Sequence, residues 1–198
     1  MPQKEKKPVF IYLASGSPRR QTLLEQIGVT FEVCVTDIDE SQDTNESPLD
    51  YVQRMASEKA AAALELIADR RAPVLAADTT VVLEGEIMGK PVDEADARHM
   101  LQRLSGAAHE VLTAVVVTDG QQSKTVVSPT LVTFRELSAA EISAYWASGE
   151  PQGKAGSYAI QGLGAMFICD IQGSYSGVMG LPLFETARLM HDFGYRLI

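Results

Sequence analysis

A chain of 198 residues with 45% apolar content can bury one substantial core, and its length supports one domain. The formal net charge of −9 excludes a sequence-independent nucleic-acid binder, whose affinity comes from many lysine and arginine contacts to phosphates. Cys34 and Cys169 stand far apart without CxxC or histidine spacing, so neither a disulfide framework nor a zinc site is expected, and both thiols read as buried.

The chain opens with MPQKEKKPVF, charged and short, without a signal-peptide apolar region. No later stretch is apolar for long enough to span a bilayer, so a cytoplasmic protein with no membrane partner is expected. Residues 1–8 read as a disordered or extended tail and 9–198 as a single α/β domain. Val9 to Ala14 is a buried strand. Ser17 can cap the helix that follows, Pro18 takes its first position, Leu23, Leu24 and Ile27 form its apolar face, and Gly28 ends it. A strand running through Ser15-Gly16-Ser17 into a helix aims unpaired N–H groups and the positive end of the helix dipole at one spot, which attracts phosphate. The two hydroxyls add donors, and Arg19 and Arg20 add planar forks. Arginine in a first turn opposes the dipole, so anion binding explains the pair better than a structural role does.

Phe31 to Val35 makes a second strand. The acidic loop Asp37 to Glu46 contains Glu40, which has no evident structural task. Ser47-Pro48 with Asp50 opens a long alanine-rich helix reaching about Ala68 and carrying Lys59. Val74 to Asp78 reads as a buried strand and Thr79 to Met88 as a hairpin turning at Glu84-Gly85, closed by Gly89-Lys90-Pro91. Asp78, at the end of an apolar strand, suits a metal ligand or a base, and a strand-end turn residue is the competing reading. Lys59 reads equally as a pocket cation or an exposed helix lysine, whereas Lys90 is placed to project a fixed charge. With Glu40 and Asp78 these lysines would make a mixed-charge pocket in which carboxylates recruit Mg²⁺ and cations hold phosphate.

Asp93 begins a helix through Leu104. Val111–Thr118 and Thr125–Phe134 pair about Asp119-Gly120 and read as scaffold alone. Ser138 with Glu141 is a capping box opening a helix through about Ala147, with Trp146 as its core anchor. In KAGSYAIQGLG, Lys154 to Gly164, glycines let the backbone approach a ligand, and the Gln161 amide can pair with the N3–H and O4 of uracil or thymine; a glutamine on a surface turn is the alternative. Met166 to Ile171 is a strand and Leu183 to Phe193 a final helix. His99, His109 and His191 lie in separate elements without ligand spacing. Interleaved strands and helices with intervening hairpins predict a mixed sheet.

From Phe10 to the final helix, the ordered set SGSPRR, the Glu40 loop, SEKA, AADT, GKP, KAGSYAIQG and GLPLFET resembles the Maf family of nucleoside triphosphate pyrophosphatases. The resemblance implies an α/β fold with an elongated central mixed sheet flanked by helices, similar to inosine triphosphate pyrophosphatases. It implies hydrolysis of a nucleotide's α–β phosphoanhydride with a divalent metal, Mg²⁺ or alternatively Mn²⁺, in a homodimer. By the same resemblance Asp78 is the proton acceptor, and Ser15, Arg20, Glu40, Lys59 and Lys90 line the phosphate and metal site; Ser15, Arg20, Lys59 and Lys90, joined by the loop hydroxyl of Ser17, are expected to contact phosphates, and Glu40 and Asp78 to face the metal. Arg19, Thr79 and Gln161 match the branch acting on dTTP and UTP, while the branch acting on 7-methyl-GTP carries Trp, Gln and Glu. A neutral pyrimidine imide suits an uncharged amide, and a cationic methylguanine suits an aromatic stack with a carboxylate. The alternative is a nucleotide-sensing regulator of cell division, which needs the phosphate loop but no catalytic carboxylate.

Overall fold

The computed structural model describes residues 9–69 and 71–197, and the tail read at residues 1–8 lies outside them. The first strand, β1 (Phe10–Leu13), leads through the Ser-Gly-Ser loop into α1 (Pro18–Gln26), and β2 (Thr30–Val33) returns parallel to β1. The long helix α2 (Pro48–Leu66) starts on the Ser47 cap, whose hydroxyl accepts from the Asp50 N–H. It precedes β3 (Val74–Leu83), which also lies parallel to β1. From there the sheet is antiparallel: β4 (Glu86–Met88) and β5 (Ala108–Thr118) pair with β3, β6 (Ser123–Phe134) with β5, and β7 (Ile168–Gln172) with β6. Its order is β2-β1-β3-β5-β6-β7 with β4 branching from β3, the mixed sheet that interleaved crossovers and hairpins predict. The remaining helices are α3 (Glu94–Leu104), α4 (Ala139–Ala147), α5 (Tyr175–Met179) and α6 (Leu183–Asp192).

Side-chain alternation along β3 divides the core. Val74, Ala76 and Val82 pack under Val52, Ala56, Ala60 and Ala63 of α2, at a three-to-four residue spacing that puts one small-residue face on the sheet. Leu75 and Ala77 face the other way, against Leu23 and Leu24 of α1 and Leu189 and Met190 of α6. A third cluster, with Leu101, Leu104, Phe134, Ile142 and Tyr145, fills the far end under α3 and α4.

Several elements depart from expectation. Thr79 lies inside β3 rather than at the start of a hairpin, because β5 pairs with β3 without a break from Val74 to Val82. The hairpin does turn at Glu84-Gly85, where both residues take positive φ (54° and 83°). Met166 belongs to a 3₁₀ turn, Leu163–Phe167, and the strand begins at Ile168. The five-residue α5 carries too few residues for a periodicity signal. Tyr145, at 3% exposure, anchors α4, while its neighbour Trp146 is only half-buried. The cysteines are free, but Cys34 is half-buried and Cys169 exposed rather than buried, since Cys34 follows β2 and Cys169 lies in β7, the two outermost strands of the sheet. No described helix is long and apolar enough to cross a membrane.

Candidate active site

The site follows from an interruption in the sheet. Along one edge of β3, β1 pairs only at Val74 and Leu75 and β4 only from Val81 to Leu83, so among the described residues no strand lies beside residues 76–80 on that side. The loop leaving β1 is pinned at the near lip, where the Ala14 N–H donates to the Leu75 carbonyl at 2.9 Å. β1 ends here while β3 runs on, and the carboxyl ends of parallel strands are where ligands bind in α/β sheets. A cavity of about 710 Å³ occupies it, within the range of small-molecule sites. Ser15, Ser17, Arg19, Arg20, Glu40, Lys59, Asp78, Thr79, Lys90 and Gln161 all line this cavity.

Alternation sends Asp78 and Thr79 to opposite faces of the sheet. Asp78 meets α2, and Lys59 Nζ sits 2.7 Å from Asp78 Oδ1 and 2.7 Å from Glu40 Oε1. Lys90 Nζ reaches Glu40 Oε2 at 3.2 Å. Lys59 is therefore a half-buried bridge between two carboxylates rather than an exposed helix lysine. Its hydrogen bond is the main reason the Glu40 carboxyl is held below its ordinary range, against a smaller upward push from burial. The Glu40 carbonyl also accepts from the Tyr51 hydroxyl at 2.9 Å, and that phenol is pushed up to about 12 by burial and by Asp78 and Glu40.

Thr79 meets α1. Arg20 spends one guanidinium on three elements, donating from Nε to the Gly180 carbonyl at 2.8 Å, from Nη1 to Ser15 Oγ at 3.0 Å and from Nη2 to Thr79 Oγ1 at 3.3 Å. Burial lowers its pKa, with Asp78 opposing that shift. Thr79 Oγ1 lies 3.0 Å from Thr113 Oγ1, and Thr113 donates its only proton to the Gly177 carbonyl at 2.8 Å. Thr79 must then donate to Thr113, which leaves it one lone pair for a ligand. Thr113 gives β5 a part in the site, so this strand is more than scaffold.

Ser17 occupies the cap position of α1 but makes no side-chain cap bond; its N–H instead donates to Ser15 Oγ at 3.2 Å. Ser15 Oγ thus accepts from both Ser17 N and Arg20 Nη1, which fills its two lone pairs and leaves its O–H free to donate. Arg19 Nε is buried without a partner among the described residues, and burial lowers its pKa. Lys154, inside the quoted glycine-rich motif but not singled out there, also lines the cavity; its pKa is lowered by burial and then by Arg19. The motif context could have flagged Lys154, and the spacing of eight residues to Lys59 could have flagged Tyr51, whereas one threonine in an alternating strand carries no signal.

Five cations against two carboxylates give the cavity a positive balance inside an acidic protein. No group of three or more His, Cys, Asp or Glu among the described residues could hold a metal. A magnesium ion usually takes one or two carboxylates, keeps several waters and relies on substrate phosphates, and Glu40 and Asp78, joined here through Lys59, are the two carboxylates that would serve it.

Fold and cavity together define an α/β protein with a crevice lined by cations where β1 ends beside β3. The description Maf-like protein matches residues 10–193, and the chain belongs to that family. It is 50% identical over 188 residues to the dTTP/UTP pyrophosphatase of Hahella chejuensis, covering 94% of each chain. It is 53% identical over 190 residues to that of Shewanella oneidensis, covering 93% of this chain and 98% of the relative. Among solved structures, the Staphylococcus aureus Ham1 protein is similar at a TM-score of 0.47 and 17% identity, over 63% of this chain and 71% of that one.

Proposed function

We propose that this chain hydrolyses dTTP and UTP, and modified pyrimidine triphosphates of the same class, to the nucleoside monophosphate and pyrophosphate. The observation that carries the reading is Ser15: a buried hydroxyl with both lone pairs filled can only donate, and it faces a cavity rich in cations, so its natural partner is a phosphate oxygen. The start of α1 adds backbone N–H groups at the same lip. The pyrophosphatase names of relatives near 50% identity support the same reaction.

In this reading Ser15, Ser17, Arg20, Lys59 and Lys90 hold the phosphates, and the lysines offset charge as pyrophosphate leaves. Asp78 keeps Oδ1 on Lys59 and uses Oδ2 to orient the attacking water and accept its proton. A divalent ion, Mg²⁺ or Mn²⁺, would be held by Glu40 and Asp78, where it supplies charge neutralisation and a more acidic water. Arg19, Thr79 and Gln161 face the base and sugar. The reading places the protein in the cytoplasm with its nucleotide substrates, acting as a homodimer.

Incubation of UTP, dTTP, CTP and 7-methyl-GTP with Mg²⁺ tests it by product analysis. Monophosphate and pyrophosphate from UTP and dTTP are expected; single orthophosphate, or preference for 7-methyl-GTP, would contradict it. Asp78→Asn is expected to lower kcat by about 10²-fold or more. Full turnover in that variant would remove Asp78 from catalysis, and no turnover in the unaltered protein would favour a nucleotide sensor.

A further inference from the structure

Gln161 sits between two anchored points. On one side the Ala159 N–H donates to the Tyr145 hydroxyl at 3.1 Å. On the other the N–H groups of Leu163 and Gly164 donate to Glu150 at 2.8 and 2.9 Å. The anchors are themselves joined, because the Tyr145 hydroxyl donates to Glu150 Oε1 at 2.7 Å. Burial pushes the Glu150 carboxyl up, but the Gly164 and Leu163 amides and the Tyr145 hydroxyl outweigh it and hold Glu150 below its usual range. Space is closed as well as bonded: a Cβ on Gly162 would run into the Glu150 carboxylate, and one on Gly164 would meet the Tyr145 hydroxyl at 2.7 Å. Neither Tyr145 nor Glu150 lines the cavity.

We propose that Tyr145 and Glu150 are positioning residues for base selection, forming a brace that fixes the backbone on both sides of Gln161. The inference rests on the reading of Gln161 as the base-facing side chain. A primary amide offers an acceptor and a donor, so it matches the imide edge of uracil in one orientation and the N3 and amino group of cytosine with its ends exchanged. Discrimination then depends on the depth and angle at which the amide meets the base edge, and a carboxylate accepting three hydrogen bonds around the loop fixes the backbone from which Gln161 extends. Misplacement by an ångström is enough to cost a large factor in rate.

The test compares kcat/KM for UTP and CTP in the unaltered protein and in Tyr145→Phe, Glu150→Gln, the double variant and Gln161→Ala, with thermal midpoints recorded for each. The UTP-to-CTP ratio cancels any loss of folded protein, since both substrates meet the same active fraction. Each brace variant is expected to lower the ratio about tenfold, chiefly through UTP. The double variant should lie within about twofold of Glu150→Gln, because one brace is broken once. A ratio unchanged in both brace variants while Gln161→Ala collapses it overturns the brace. A ratio unchanged in Gln161→Ala overturns the reading of Gln161 itself, and the brace with it.

Discussion

At the residue scale, Arg20 is the most heavily committed side chain of the site. Its three bonds join the Ser15 loop, β3 and the Gly180 turn before α6, and a lysine, with one compact ammonium, can satisfy only part of that fork. Arg20→Lys is expected to reduce kcat/KM for UTP by about tenfold or more and to lower the thermal midpoint, measured by steady-state kinetics and calorimetry. Glu40 gives a prediction in pH. Its folded pKa lies below the ordinary 4.5 chiefly because of Lys59, so the stabilisation it brings is present above 4.5 and is lost as pH falls through the lower folded value. Carboxyl NMR titration should show Glu40 titrating below 4.5, and Lys59→Met should move it upward.

At the element scale, α2 lies close to β3 because Ala56, Ala60 and Ala63 present no bulk to the sheet, and that closeness lets Lys59 reach Asp78. Ala60→Leu should overpack this contact, costing about 1–3 kcal/mol in urea unfolding and lowering kcat by displacing Lys59. Such elements were legible in the sequence because local chemistry announces them: Ser47-Pro48 and Ser138 with Glu141 mark helix starts, and the capping box at Ser138 is present with both of its bonds. All ten candidate site residues could likewise be named from motifs, and all line one cavity. The rest depended on long-range pairing. Nothing near Thr79 announces that β5 will carry β3 straight past it, and nothing in β5 marks Thr113 as its partner 34 residues away. Tyr145 and Trp146 are adjacent aromatics on a short helix, and which one faces the core depends on the helix's rotation against α3 and the 3₁₀ turn.

At the scale of the whole molecule, His109 couples stability to pH. It is 2% exposed, donates to or accepts from the Tyr158 hydroxyl at 2.9 Å, and stacks edge-on against Phe134 and Tyr158. Burial lowers its pKa from 6.5 to about 4. Between those values the unfolded chain takes up a proton that the folded chain refuses, so stability falls as pH drops from 6.5 and levels off below about 4. The full loss from this group is about 3 kcal/mol. Denaturant midpoints taken from pH 7 to 4 should show the decline, and His109→Gln should flatten the slope whatever its absolute stability.

The break beside residues 76–80 has a consequence for solubility. A strand edge without a neighbour is a template on which another chain can add, the usual opening for aggregation. Here that edge is short, sits in mid-sheet and opens onto a cavity lined by charges, so a strand from another molecule would have to bury lysine and arginine to dock. On the proposed reading, a nucleotide bound in the cavity would take the place such a strand needs. Light scattering during a thermal ramp should therefore rise later with a slowly hydrolysed UTP analogue than without it, by more than the accompanying shift in the unfolding midpoint.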